Sequence, residues 1–373
     1  MNKTWKVIVW IVIVVLVVWG AVALLNKNSI DSSETIKIGF LGPLTGDLAT
    51  PGINAQAAVS IAVDEINKTG GVLGKKLEVV YEDDLCTGAT GANAISKLIN
   101  TDKVVAVLGG LCSGATLGEA PIAEAAQTVQ IAYCSTAPAV SQAGDYIFRN
   151  VPSDFFQAKY VAQYLTEKGK NNVALLTVKN DWGDGLNKAF VDAFTGTIVV
   201  NDSFDPNTKD FKTQLTQIKA KNPDAIYFIG YADVTIPALK QAYDLGIKTQ
   251  FFGADGWDDT KIWDELGNIG DGAMYTIVGT NSSDAFKTAM KAKLGKDDLI
   301  YCSNYAYDGL KILANAINKA GSTDKVAVKD AMYETNYTNG VGSKEVKFDN
   351  NGDPISATYT VKIVKNGKAE DLK

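Results

Sequence analysis

The chain has 373 residues, which is enough for two domains of ordinary size. Its hydrophobic content of 46% is that of a globular protein and excludes a disordered one, and its net charge of −6 argues against nucleic acid as a partner. The chain contains no histidine, which removes the most common general base and metal ligand and so disfavours an enzyme without excluding one.

The first predicted element is an apolar segment near the N-terminus. Val7–Leu25 runs for nineteen residues without a charge. At about 1.5 Å per helical residue, this length matches a bilayer core of roughly 30 Å. Lys3 and Lys6 precede the segment, which predicts a cytoplasmic N-terminus and an exported remainder. Ala21–Ala23 could serve as a cleavage site, so residues 1–30 are expected to be either a transmembrane anchor or a long signal peptide.

From residue 35 onward, apolar β-branched runs alternate with amphipathic stretches of helical period. The helical stretches include Asn54–Gly71 and Phe155–Gly169, each of which ends in glycine. Near-continuous apolar strands separated by helices predict parallel sheets covered on both faces, and their number predicts two doubly wound α/β lobes. The predicted strands are Thr35–Gly42, Lys76–Asp83, Val104–Gly110, Asn172–Val178, Gly196–Asp202, Asp224–Gly230 and Thr249–Asp255.

Two further segments bear on how the lobes connect. In Tyr146–Gln157, Pro152 ends a strand and Ser153 can cap the next helix, so the chain is expected to cross between lobes there. Near the C-terminus the alternation of strands and helices ends. The segment Lys344–Val364 has the pattern of two strands on either side of a turn at Asn350–Pro354. This pattern predicts an antiparallel hairpin.

Small residues and hydroxyl groups follow three predicted strands of the first lobe. Ligands of open parallel sheets bind beyond the carboxyl ends of the strands, where backbone N–H groups of helix N-termini point outward. Ser113 and Gly114 open a helix after one strand, and Ser135 and Thr136 follow the next. With Phe40–Asp47, they predict an anion site, most simply for a carboxylate, although each hydroxyl alone is equally well explained as a helix cap. Neither glycine-rich phosphate motif is present, so a nucleotide is not predicted.

The second lobe places different side chains at its strand ends. Asp181 and Trp182 follow one strand, Tyr231 follows another, and Asp255 and Trp257 follow a third. Each of them alone is more commonly structural. Together, aromatic rings suit an apolar ligand body and a carboxylate suits a cation. An anion site in one lobe that faces a cation site in the other predicts a zwitterionic ligand.

Several motifs between Thr35 and the C-terminus carry a family resemblance. They are GPLTG, NKTGGVLGKK, GGLCSGAT, WGDGL, GIKTQFFGADGWDD and YAYDGL. On these motifs the sequence resembles the type I periplasmic amino-acid-binding proteins of ABC transporters, particularly the leucine/isoleucine/valine-binding proteins. The resemblance implies two lobes, joined by three crossings, that close over a ligand like a hinged clamp. The implied lobes are residues 35–150 plus about 279–335 and residues 151–278 plus about 336–373, after the segment 1–30.

The same resemblance implies a set of ligand contacts. By it, Ser113 and Thr136 bind the ligand carboxylate with help from backbone groups at Cys134, and Asp255 receives the α-ammonium. The aromatic contacts stand where the family has pocket aromatics. The implied ligand-binding residues are Ser113, Cys134, Ser135, Thr136, Trp182, Tyr231 and Asp255.

Departures from the family pattern leave the ligand side chain open. Pro51 stands where an aromatic commonly lines the side-chain pocket, and Trp182 stands where a tyrosine is common. The ligand is therefore leucine-like, a smaller amino acid, or an amide or urea relative.

The four cysteines form one pair for which a disulfide is expected and a second pair for which the sequence leaves the pairing undecided. Family members pair a cysteine after the second strand with one after the third, which implies a Cys86–Cys112 disulfide in an exported compartment. Closing a loop of this size stabilises a protein by about 3 kcal/mol. Cys134 and Cys302 lie outside the family pattern and are either a second disulfide or two separate buried thiols.

These observations predict an extracytoplasmic substrate-binding protein, membrane-anchored or secreted, that captures an amino acid by lobe closure and delivers it to an ABC transporter permease. It is expected to work as a monomer, without catalysis, cofactor or metal. One alternative is a ligand-sensing ectodomain that feeds a membrane signalling partner. The other is an enzyme, for which Cys134 and Asp255 would be a poor nucleophile and base without a histidine.

Overall fold

The computed structural model describes residues 31–296 and 299–372. The predicted anchor or signal at residues 1–30 lies outside this part of the chain. Among the residues described, no helix has both the length and the apolar character needed to cross a bilayer.

The strands form two large sheets and one small one. The first sheet is parallel, with the order β2-β1-β3-β4-β5, and the second has the order β14-β13-β10-β9-β8-β6-β7. A two-stranded sheet joins β11 and β12. The strands are β1 (Asp31–Gly42), β2 (Lys75–Asp83), β3 (Ala106–Leu108), β4 (Gln130–Ala132), β5 (Ile147–Arg149), β6 (Asn172–Val178), β7 (Thr197–Phe204), β8 (Ala225–Ile229), β9 (Gln250–Gly253), β10 (Met274–Val278), β11 (Tyr337–Thr338), β12 (Glu345–Val346), β13 (Tyr359–Lys365) and β14 (Lys368–Asp371).

Helices cover both faces of each large sheet, as the near-continuous apolar strands predict. In the first sheet, Ile38 and Phe40 of β1 point into one buried cluster and Leu41 points into another on the opposite face. The helices are α1 (Ala49–Lys68), α2 (Gly88–Asn100), α3 (Ser113–Ala125), α4 (Asp154–Glu167), α5 (Asp181–Ala193), α6 (Lys212–Lys221), α7 (Ala232–Asp244), α8 (Thr260–Leu266), α9 (Asp284–Leu294), α10 (Tyr301–Ala320) and α11 (Lys325–Tyr333).

The chain passes three times between the core of the first sheet and the core of the second. Val151 packs in the first core and Ala158 in the second, so the first passage coincides with the segment predicted from Pro152 and Ser153. The Ser153 hydroxyl accepts a hydrogen bond from the Phe155 N–H at 3.3 Å and caps α4. The second passage follows Ile277. We call the two halves the first and second lobes.

The buried residues near the C-terminus locate the third passage. Val346 and Phe348 pack in the first core, whereas Val361 packs in the second. The predicted lobe boundaries stay a prediction, and we propose moving the last of them from about residue 336 to between Phe348 and Val361.

The predicted tail hairpin is wrong in its pairing. A single antiparallel bridge joins Phe348 to Pro354 across the predicted turn. The strands on either side of that turn belong to different sheets, because β12 pairs with β11 while β13 pairs antiparallel with β10 and β14. The prediction of strands in this segment is confirmed, but each strand pairs with a strand from outside the predicted hairpin.

Candidate functional site

A cavity lies between the lobes, at the carboxyl ends of the strands of both large sheets. The free space inside it is about 40 Å³. The first lobe contributes Leu48, Pro51, Leu111, Ser113, Cys134, Thr136, Ile300, Tyr301 and Cys302 to its wall. The second lobe contributes Trp182, Tyr231, Ala232, Asp255, Gly256, Asp258 and Asp259.

Most of the predicted ligand-binding residues line this cavity, and one of them, Ser135, does not. Ser135 is fully buried behind the cavity. Its hydroxyl lies 2.6 Å from the Thr116 hydroxyl and donates to the Gly110 carbonyl oxygen at 3.1 Å. Its side chain therefore braces the loop after β3 instead of facing the cavity.

The first-lobe side of the cavity carries hydrogen-bond donors. Ser113 is the first residue of α3, where the N–H groups of the first helical turn have no partner within the helix. The Ser113 hydroxyl accepts a hydrogen bond from the Ala137 N–H at 3.1 Å, which leaves its own proton to donate. Thr136 lies on the same wall. This side of the cavity is suited to an anion.

The second-lobe side carries a stacked aromatic pair. The ring centroids of Trp182 and Tyr231 lie 4.5 Å apart with 23° between the ring planes. Gly256 makes this packing possible, because a Cβ there would lie 2.8 Å from the Trp182 ring and 3.1 Å from the Gly230 carbonyl oxygen. The pair forms a rigid apolar wall opposite the donors.

Asp255 is the acidic group of the cavity wall that has an unsatisfied oxygen. Its Oδ2 accepts a hydrogen bond from the Tyr301 hydroxyl at 2.5 Å, and its Oδ1 is buried without a hydrogen-bond partner. Burial raises the pKa of Asp255, and hydrogen bonding to Tyr301 and to Gln157 partly opposes that rise. Asp154 is fully buried nearby, and burial and then the charge of Asp255 raise the pKa of Asp154 well above its usual value. A bound cation would relieve this local excess of negative charge.

Both cysteine pairs form disulfides. The Cys86–Cys112 bond that the resemblance implies is present, with 5.3 Å between the Cα atoms. Cys134 and Cys302, left open by the sequence, are also joined, with 5.4 Å between their Cα atoms. Both separations lie within the usual disulfide range of about 4.4–6.8 Å. The Cys134–Cys302 disulfide forms part of the cavity wall.

Sequence reasoning missed Arg149, which supports the site from behind. Its guanidinium is fully buried and forms a bidentate ion pair with Asp353, with N–O distances of 2.6 and 2.8 Å. The remaining Nη1 donates to the carbonyl oxygens of Thr136 and Ala137 at 3.0 and 2.9 Å. Arg149 thus fixes the loop that carries Thr136. A lone arginine in a strand has no local pattern that would have revealed this role.

A second buried acidic pair lies behind the loop after β3. Asp84 and Glu119 are both fully buried, and Glu119 Oε2 accepts a hydrogen bond from the Gln130 side chain at 2.5 Å. Burial and the charge of Asp83 raise the pKa of Asp84 to about 7. Burial and the charge of Asp84 raise the pKa of Glu119 well above its usual value. The native state therefore holds protons that the unfolded chain releases above about pH 4.

We expect the free energy of unfolding to fall as the pH rises from about 4 through 7, because the folded state binds the extra protons. Glu119→Gln replaces the protonated acid by an amide of the same shape. The variant should match the wild type near pH 4.5 and be more stable at pH 8 by at least about 1 kcal/mol. Urea unfolding at both pH values measures this difference, and Glu78→Gln, at an exposed position of β2, is the control. A Glu119→Gln curve parallel to the wild type across this pH range would contradict the expectation.

Comparison with known proteins places the chain in a class. The family model described as periplasmic binding protein matches residues 35–368. The chain therefore belongs to the periplasmic binding proteins, a family of solute-binding proteins with an extracytoplasmic location, as the sequence resemblance indicated.

Within that class, the chain is similar to branched-chain amino-acid-binding proteins. It is 29% identical over 339 residues to the leucine-, isoleucine-, valine-, threonine-, and alanine-binding protein of Pseudomonas aeruginosa, covering 88% of this chain and 90% of the relative. It is 31% identical to the Leu/Ile/Val-binding protein BraC3 of Rhizobium johnstonii, covering 89% and 92% of the two chains. The crystal structure of the substrate-binding protein LivJ from Streptococcus pneumoniae, in complex with isoleucine, matches with a TM-score of 0.83, 30% identity, and coverage of 90% and 98%.

Proposed function

We propose that this protein captures an amino acid between its lobes and delivers it to an ABC transporter permease. The observation that carries the proposal is the polarity of the cavity. The N-terminus of α3, with Ser113 and Thr136, lies on one side, and Asp255, with an unpartnered buried oxygen, lies on the other. A carboxylate fits the first side and an α-ammonium fits the second. The names of the similar proteins support this choice of ligand.

The ligand would act as the bridge that stabilises the closed state. Its carboxylate would contact the first lobe at Ser113 and Thr136, and its ammonium would contact the second lobe at Asp255. In an open conformation the ligand can contact only one lobe at a time. Binding to both lobes therefore favours the closed conformation, which a permease would recognise. The protein leaves the ligand chemically unchanged.

The rest of the wall favours an aliphatic side chain. Leu48, Pro51, Leu111 and Ile300 line the cavity from the first lobe, and the Trp182–Tyr231 stack lines it from the second. No lysine or arginine lines the cavity among the residues described. The best candidates are therefore branched-chain or smaller aliphatic amino acids.

Location and assembly follow from the same proposal. Residues 1–30 would tether the protein to the membrane or direct its export, a prediction that comes from the sequence alone. The protein would bind its ligand as a monomer, because residues of a single chain build both sides of the cavity.

A thermal-shift screen tests the proposal. The full-length chain in mild detergent is heated with each of the twenty common amino acids, with the des-amino acids of the aliphatic ones, and with simple amides. Ligand at 100 times its Kd stabilises the folded state by about 2.7 kcal/mol. Aliphatic amino acids should raise the melting temperature, and their des-amino analogues should not. Stabilisation only by ligands without an ammonium would contradict the role of Asp255 and favour a carboxylate or amide ligand.

A further inference from the structure

We propose that Tyr301 is a positioning residue of this ligand site, whose hydroxyl reaches across the cleft to orient Asp255, and that the Cys134–Cys302 disulfide holds Tyr301 in place. The proposal rests on the amino-acid-binding function proposed above. Nothing in the sequence pattern pointed to Tyr301 except its position beside Cys302.

Tyr301 joins the two lobes at two points. It is the first residue of α10 and packs in the first core, where its ring meets that of Tyr305 edge-on at 6.2 Å between centroids. Its hydroxyl donates to Asp255 Oδ2 at 2.5 Å, and its backbone N–H donates to Asp258 Oδ2 at 3.2 Å. Asp255 and Asp258 follow β9 of the second lobe. One residue of the first lobe therefore donates hydrogen bonds to two aspartates of the second lobe.

The hydroxyl bond determines which oxygen of Asp255 remains for a ligand. With Oδ2 occupied by Tyr301, Oδ1 is the oxygen left without a partner. A carboxylate held at one oxygen cannot rotate freely, so the other oxygen presents a fixed acceptor. The hydroxyl proton also favours the charged form of Asp255, which an ammonium needs, against the effect of burial.

The disulfide links this contact to the opposite side of the cavity. Cys302 directly follows Tyr301, and its partner Cys134 lies two residues before Thr136. The Tyr301 hydroxyl lies 3.2 Å from the Cys134 sulfur. The disulfide thus joins the start of α10 to the loop after β4, and the Tyr301 hydroxyl joins the start of α10 to Asp255. In this way the disulfide fixes the position of the carboxylate-binding side of the cavity relative to the ammonium-binding side.

Tyr301→Phe tests the hydroxyl with the ring retained. By isothermal titration of the full-length chain, with L-isoleucine as the first probe and L-alanine as the second, we expect binding about 10- to 100-fold weaker than in the wild type. Tyr305→Phe is the matched control, since this tyrosine is one turn further along α10 and its hydroxyl donates to the Gly279 carbonyl oxygen. The control should bind like the wild type. Melting temperatures without ligand show that both variants are folded.

A double-mutant cycle distinguishes positioning from a merely structural role. If Tyr301 acts through Asp255, the double variant Tyr301→Phe/Asp255→Asn should bind no more weakly than Asp255→Asn alone. Replacing Cys134 and Cys302 by alanine should also weaken binding, and should weaken it less when Tyr301 is already phenylalanine.

Two results would overturn the inference alone. One is wild-type affinity in Tyr301→Phe, and the other is a full additive loss in the double variant. A wild-type protein that binds none of the twenty amino acids would instead overturn the proposed function and, with it, this inference.

Discussion

Asp255→Asn should weaken amino-acid binding by at least about 2 kcal/mol, or roughly 30-fold in Kd. The substitution keeps the size of the side chain and removes the charge that the α-ammonium would meet. A buried ammonium without a counter-ion is costly, and Asp255 is only 5% exposed. Isothermal titration with the amino acids that stabilise the wild type measures the loss.

The stability of the ligand-free protein provides the control for this experiment. Because burial raises the pKa of Asp255, its charged form is costly in the folded state, so Asp255→Asn should not lower the melting temperature at pH 7. The loss of affinity should also be confined to ligands with an ammonium. An Asp255→Asn variant that binds amino acids as tightly as the wild type would remove Asp255 from the ligand site.

The second large effect concerns stability: Arg149→Met should lower the free energy of unfolding by about 3–5 kcal/mol. Methionine fills much of the space but leaves the Asp353 carboxylate without its buried partner. It also leaves the carbonyl oxygens of Thr136 and Ala137 without the guanidinium donor. Urea unfolding followed by tryptophan fluorescence measures the loss.

An exposed ion pair provides the contrast. Lys188 and Asp192 pair at 2.7 Å one turn apart on α5, with both side chains more than half exposed. Lys188→Met should change the free energy of unfolding by less than about 0.5 kcal/mol, because solvent screens such pairs. Equal effects at Lys188 and Arg149 would show that burial of the Arg149 pair contributes nothing.

The secondary structure was largely predictable because it depends on local patterns. The apolar runs at Thr35–Gly42 and Asn172–Val178 correspond to β1 and β6, and the predicted helix start at Ser113 is the first residue of α3. The tail shows the limit of this approach. The run at Lys344–Val364 indicated strands correctly, yet no local feature tells a strand which sheet will accept it.

Much of the candidate site was predictable for a geometric reason. Parallel strands align their carboxyl ends, so residues that follow different strands converge although they are far apart in the chain. Thr136 and Asp255 were predicted on opposite walls of one cavity by this rule, together with the family resemblance, and the structure places both on the cavity wall. Ser135 has the same sequence context as Thr136, but its side chain points the other way and braces the loop after β3.

The sequence by itself determined the alternation of strands and helices, the two lobes, the residue types at the strand ends and the family. Only the tertiary structure decided the Cys134–Cys302 pairing, the bond from Tyr301 to Asp255 and the buried pair of Arg149 with Asp353. The last two join residues 46 and 204 positions apart. Periodicity and capping act over a few residues, whereas such contacts exist only after both lobe cores have packed and the chain has crossed between them.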